Sequence, residues 1–339
     1  MTITNGSAAG TIEVTNIAGT TGAVALGNTN TATITLDGTT YSTGGAQTYT
    51  AAAGQNIDIT GTAATFTTTN DNIGFVTAGV DLANDGTTTF NTDTAGGTVT
   101  FGAAIETDGG DDDLLVVTSG TGNVTFTGAI GATNELGGLS VNASAGDGDI
   151  TFTSTIGDAD NAGVIGTTAV GNSTTADMDF GGAIYKFDGA TTFTAVSGGS
   201  MDLAAAVSFT TAADNIAFAT ANIELADDAN LTVDTGAGAG NITIGGSILG
   251  VSNETVTLDA GTGTTSVGVI GNAAEIGALT IGSAENGGIT LNGAILTDGA
   301  IIIDGPVTLA TGAITVTTTD DALTFNHSID GAQTLSLIH

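Results

Sequence analysis

The chain has 339 residues and a formal net charge of −34, from 35 acids set against a single base, Lys186. That balance leaves no basic stripe for a nucleic-acid partner and disfavours anionic membrane surfaces. The absence of cysteine removes any disulfide framework or thiol chemistry, and a hydrophobic content of 40% excludes simple disorder, which combines low hydrophobicity with high charge.

With 54 glycines, one proline and abundant Thr, Asn and Asp, the composition predicts short strands joined by tight turns. Met1-Thr2-Ile3-Thr4 carries no basic or apolar leader and is strand-like from its second residue. No apolar run approaches a membrane span; the longest conspicuous one is Ala300-Ile301-Ile302-Ile303, so no membrane insertion is expected. The C-terminus stops inside the strand-like Thr334 to Ile338, and both ends lead to the expectation of a piece of a longer protein.

Along the chain, Gly97 to Ile105 opens a series whose clearest member is Gly122 to Gly131, followed by Gly148 to Gly157, Asp177 to Ile184, Gly240 to Ile248, Gly288 to Ile295 and Asp321 to Ile329. Each holds a period-2 strand such as Val-Thr-Phe, apolar on one face and Thr, Gly or Asn on the other. Phe101, Phe126, Phe152 and Phe180 lie 25, 26 and 28 apart. Second strands run between the units, as at Leu114-Leu115-Val116, Leu139-Ser140-Val141 and Leu279-Thr280-Ile281. The Ala-rich run Leu203 to Val207 aligns with a strand-like segment and is read as strand.

A longer period overlies this rhythm. Phe66, Asp71, Phe75 and Leu82 recur 143 positions on as Phe209, Asp214, Phe218 and Leu225. Tyr49 and Ile57 match Phe193 and Met201 at 144, and Glu135-Leu136-Gly137 matches Glu275-Ile276-Gly277 at 140. Gly331-Ala332-Gln333-Thr334 echoes Gly45 to Thr48. Long tandem copies mark an array that spans distance or presents a surface. The expectation is an all-β parallel β-helix, or β-solenoid, with coils of about 25 residues forming one continuous segment over 1–339. Its long repeats fall near 1–44, 45–188, 189–330 and 331–339, the first and last partial. Tandem β-sandwich modules, one per long repeat, are the alternative. Open strand edges at the two ends favour end-to-end self-association.

The units Gly122 to Gly131, Gly148 to Gly157 and Gly240 to Gly250, with the linking segments Leu136 to Val141 and Ile276 to Ile281, resemble the repeat regions of filamentous-haemagglutinin-like giant exoproteins. The resemblance covers most of residues 30–339. It implies a right-handed parallel β-helix in a bacterial adhesin or surface filament, extracellular or on the cell surface, with a host-cell, matrix or polysaccharide surface as partner. Such proteins are often exported by a partner transporter that reads an N-terminal secretion domain, and no such domain is visible here.

The densest acidic cluster is Asp108-Gly109-Gly110-Asp111-Asp112-Asp113. Carboxylates on a Gly-rich turn suit Ca²⁺, which takes six to eight oxygens, so Asp108, Asp111, Asp112 and Asp113 are the candidate site for weak calcium. The competing reading is a solvated turn, with no cofactor at all. Catalysis is not expected. An acidic-sugar lyase generally needs Arg or Lys, and the chain has no Arg; a glycosidase needs a carboxylate pair, and nothing singles one out. Thr-x-Thr stretches at Thr67 to Thr69 and Thr87 to Thr89 do not recur with the short rhythm, which argues against an ice-binding array. His327 and His339 lack metal-ligand partners at useful spacing and read as exposed and incidental. The functional expectation is a structural stalk or adhesive segment. A Ca²⁺-dependent or glycan-binding surface module is the alternative, and a carbohydrate-active enzyme the third reading.

Overall fold

A computed structural model describes the chain apart from residues 8, 84–85, 110–112, 252, 273–274, 311 and 320. Among the described residues the regular elements are strands, with no helix. The strands pair in parallel with the equivalent strand one coil later, and a coil takes roughly 24 residues. Sandwich modules would need antiparallel neighbours joined by hairpins, so this parallel pairing excludes them: the fold is a β-solenoid. The described chain divides into two compact units, Met1–Ala176 and Asp177–His339.

In the N-terminal unit, one face stacks Val24–Gly27, Gln47–Thr50, Ile73–Phe75, Val99–Phe101, Val124–Phe126 and Ile150–Phe152. A second face stacks Gly10–Val14, Thr31–Leu36, Asn56–Ile59, Gly79–Leu82 and Ile105–Thr107. It continues through the single bridges Ile105 to Ile130 and Ile130 to Ile156. A third face holds Thr40–Thr43, Thr65–Thr67, Thr87–Asn91, Leu114–Thr118, Gly138–Val141 and Thr168–Val170. The C-terminal unit repeats this three-faced coil, for example with Ser200–Leu203, Val207–Thr210 and Ile216–Phe218.

Period-2 alternation dictates which side of each strand meets the core. In Val99–Phe101 the valine and phenylalanine are buried and Thr100 faces out. Parallel in-register stacking then places like residues above one another. Tyr49, Phe75, Phe101, Phe126 and Phe152 form one column, with ring centroids 4.9 to 5.4 Å apart and planes within 13°. Tyr41, Phe66 and Phe90 form another, at 4.5 and 4.7 Å. The two columns meet edge-on, as at Phe75–Phe90, 5.4 Å and 86°. Stacked and edge-to-face rings add about 0.5–1.5 kcal/mol per pair beyond area burial.

The corners explain the Thr and Asn content. At the end of third-face strands a buried hydroxyl closes the turn: Thr92 Oγ1 donates to the Gly97 carbonyl at 2.8 Å, and Thr68 Oγ1 to that of Asp71. Thr92 is fully buried, so Thr92→Val, which removes only the hydrogen-bonding group, is expected to cost about 1 kcal/mol in urea unfolding. A neutral result would show that the turn holds without it. Asn side chains just before strands reach across one coil. Asn72 Oδ1 accepts from Thr98 N (2.9 Å), Asn123 Oδ1 from Asp149 N (3.1 Å) and Asn230 Oδ1 from Thr255 N (2.7 Å). Each such bond satisfies a backbone donor at the start of the next coil's strand.

The long repeat is visible as rebuilt contacts. Tyr185 stacks on Phe209 at 5.0 Å as Tyr41 stacks on Phe66, and Phe193 on Phe218 at 5.4 Å as Tyr49 on Phe75. The Tyr185 hydroxyl accepts from Gly182 N at 3.0 Å, and that of Tyr41 from Gly38 N at 2.9 Å. Thr235 Oγ1 donates to the Gly240 carbonyl as Thr92 does to that of Gly97. A glycine spine recurs as well. A Cβ on Gly122 or Gly148 would stand 2.1 Å from the carbonyl oxygen of the glycine one coil earlier, Gly97 or Gly122. On Gly263 it would stand 2.0 Å from the Gly240 carbonyl oxygen.

Two local readings change. Ala204 to Ala206 form an exposed corner between Ser200–Leu203 and Val207–Thr210, because the three small residues carry no apolar bulk to bury. His327 is exposed, as expected, but is not isolated: its Nε2 lies 3.2 Å from Asp304 Oδ1.

Candidate functional site: carboxylate ladders and corner troughs

Of the acidic cluster expected at residues 108–113, Asp111 and Asp112 lie outside the described residues. Asp108 is exposed, just past Ile105–Thr107. Asp113 immediately precedes Leu114–Thr118 and turns inward, 1% exposed, its Oδ1 accepting from Gly86 N at 3.4 Å. Among the described residues, no three His, Asp or Glu side chains come together as a metal-binding group.

What the fold does assemble beside Asp108 and Asp113 is a ladder. The outward residues of the second face fall in register as Glu13, Thr35, Asp58, Asp81 and Glu106. Neighbouring strands are about 4.8 Å apart, so Asp58, Asp81 and Glu106 hold three carboxylates one above another. Their strand neighbours Ile57, Ile59, Val80 and Leu82 are buried in the core, which fixes the outward direction of the acids. Burial raises Asp58 above the ordinary carboxylate value. Asp81 is pushed up to about 6, by burial first and then by the charges of Asp58, Asp108, Asp113 and Glu106. Asp81 Oδ1 is buried without a hydrogen-bond partner. Glu106 is better served, its Oε2 accepting from Thr133 N at 3.0 Å and Asn134 N at 2.9 Å.

The C-terminal unit carries a second ladder, Asp179, Asp202 and Glu224, in register. Asp202 is raised by burial, opposed by the Ser200 hydroxyl, which donates to its Oδ2 at 3.1 Å, and assisted by Asp179 and Asp177. Asp58 and Asp202 are 144 residues apart, Asp81 and Glu224 143. An open depression of about 270 Å³ lies along this ladder, lined by Asp202, Leu203, Ala204, Glu224, Leu225 and Ala226.

A second recurrent feature is a trough at the corner that ends one face. In the N-terminal unit it holds about 350 Å³ between Asn91, Asp93, Thr94, Thr118, Gly120, Thr121, Ala145, Gly146, Asp147 and Thr174. A smaller hollow of about 250 Å³ shares Asn91 and Asp93 and extends to Ser42 and Thr67. The C-terminal unit has a trough of about 340 Å³ at the matching repeat positions, among them Asp234, Gly236, Asp259, Gly261 and Glu285. The rims are Asx turns: Asn91 Oδ1 accepts from Asp93 N, Asp234 Oδ1 from Gly236 N and Asp259 Oδ1 from Gly261 N, at 2.7, 2.7 and 2.9 Å.

Chemically, burial favours the protonated form of Asp58, Asp81 and Asp202 within the ladders, and the troughs offer hydroxyl, amide and carboxylate groups to solvent. Neither brings an aromatic platform. Every Tyr and Phe is buried except Phe325, which is half-buried. Sequence reasoning singled out neither feature. The signal that marks them is acid recurring at the repeat offset, at Asp58 and Asp202 and again at Asp81 and Glu224. No protein-family model, curated protein or solved structure matches the chain.

Proposed function

We propose that this chain is a structural segment of a large secreted or cell-surface repeat protein of the filamentous-haemagglutinin-like kind. It acts as stalk or filament, with adhesion to a cell, matrix or polysaccharide surface along its flank and no catalysis of its own. The observation that carries the reading is what the long repeat preserves. Its two copies rebuild the aromatic core, the corner hydroxyls and the glycine spine, and these are features that hold coils together. Array proteins of this kind gain stability from nearest-neighbour coil interfaces and present their surface to partners.

The test is incubation with a panel of neutral and acidic polysaccharides. A structural segment yields no new reducing ends and no unsaturated products, and sustained turnover on any member of the panel overturns the reading. The excess of 35 acids over a single base favours a second reading, a Ca²⁺-dependent surface module. Thermal unfolding in millimolar calcium and in chelator separates the two. Superimposable melts support the structural segment; a saturable calcium-dependent rise in the unfolding temperature supports the second reading.

A further inference from the structure

The N-terminal unit is built with a column of like charges and nothing of opposite sign to pair with them. From Met1 to Ala176 the sequence contains no Lys, Arg or His. Meanwhile the outward side chains of the other two faces of this unit are uncharged in the strands, as in the in-register columns Thr100, Thr125, Thr151 and Thr40, Thr65, Thr89. The strand-borne acids are therefore concentrated on the second face.

Among the described residues, the charged groups acting on Asp81 are acidic. Asp58 stands on the coil before and Glu106 on the coil after, both in register. Asp108 and Asp113 approach from the segment that follows Glu106. When all are ionised, the column repels itself along the stacking axis, and Asp81 Oδ1 is buried without a donor. A single proton changes this. A protonated Asp81 is a hydrogen-bond donor, and its in-register neighbours are carboxylate acceptors one strand spacing away. Adjacent carboxyl groups that cannot both ionise share a proton in this way.

We propose that the Asp58–Asp81–Glu106 ladder is a proton-operated clamp, in which a proton on Asp81 bonds it to the carboxylate of one adjacent coil and removes its repulsion with the acids on both sides. The clamp gives the N-terminal unit a response opposite to ordinary acid denaturation. Asp81 is held near 6 in the folded unit, above its ordinary 3.8. The folded state thus binds the proton more tightly than the unfolded chain. Stability rises as the pH falls through about 6, levels off near 4, and is lost again as the pH rises back through 6.

The experiment is thermal unfolding of the full chain between pH 7.5 and pH 5.0, at fixed ionic strength and in chelator, so that the proton is the only cation varied. The variants are Asp81→Asn, Asp58→Asn and, as control, Asp160→Asn, an exposed acid outside the ladder. The native chain is expected to gain about 2–4 °C on acidification, the size of shift that a modest stabilisation gives a unit of this length. Asp160→Asn keeps that gain. Asp81→Asn melts higher than the native chain at pH 7.5 and loses most of the further rise. Asp58→Asn keeps Asp81 but moves the midpoint of the rise to lower pH, because one repelling neighbour is gone. Two results overturn the clamp: an undiminished rise in Asp81→Asn, or a midpoint unmoved in Asp58→Asn. If Asp81→Asn fails to fold, the midpoint in Asp58→Asn decides alone.

Discussion

Replacing Phe101 by alanine is expected to lower the unfolding free energy by about 3–5 kcal/mol, the cost of emptying a buried phenylalanine site. The ring is fully buried and touches three others: Phe75 and Phe126 stack on it at 5.4 and 5.2 Å, and Phe90 meets it edge-on at 5.2 Å. Relaxation is limited, because the backbone on either side is pinned by parallel pairing to the coils before and after. A cavity that cannot collapse costs most. Urea unfolding of Phe101→Ala and Phe101→Leu checks this. The leucine variant should retain well over half of the lost stability, since it keeps most of the apolar volume. An alanine variant within about 1 kcal/mol of the native chain would mean that the aromatic column is not what holds these coils.

The second large effect falls on a residue with no side chain. Gly122 sits at a close approach between successive coils, and any Cβ there would meet the Gly97 carbonyl oxygen at 2.1 Å. Backbone on both sides must move for even a methyl group to fit. Gly122→Ala should cost about 1–3 kcal/mol by overpacking, and Gly122→Val more, because its branched Cβ cannot rotate out of the contact. The same substitution at Gly74, whose Cβ would meet nothing within 4 Å, should be far milder and serves as the control. Comparable melting temperatures for Gly122→Val and Gly74→Val would refute the close approach.

Much of the fold was legible because a solenoid writes its core in a local code. Val-Thr-Phe or Ile-Thr-Ile shows which side of a strand is apolar, and copies 143 residues apart show that the code repeats. The functional chemistry was less legible because it depends on register between coils, and coil length varies. Asp58 and Asp81 are 23 residues apart, Asp81 and Glu106 25, Asp202 and Glu224 22. No fixed spacing therefore reveals that they stack. Within the cluster at Asp108 to Asp113, proximity in sequence suggested one shared environment. The structure instead exposes Asp108 and buries Asp113. A comparison with the second copy separates these roles, since Glu254, 141 residues after Asp113, is also fully buried. The Ala204–206 corner escaped because alanine carries no turn signature, and the His327 to Asp304 contact because its partner lies one coil back.

The asparagines that reach from one coil to the next have a consequence for how this sequence can drift and age. The bond uses only the side-chain oxygen as acceptor, and aspartate supplies the same oxygen. Asp177 shows it, its Oδ1 accepting from Ser200 N at 2.9 Å just as Asn72 Oδ1 accepts from Thr98 N. Substitution of asparagine by aspartate at such a position, or deamidation to aspartate in an old molecule, adds a negative charge and leaves the inter-coil bond in place. Surface charge is thereby uncoupled from backbone architecture. Exchange between asparagine and aspartate at these positions therefore changes the charge of the surface while the coils stay as they are.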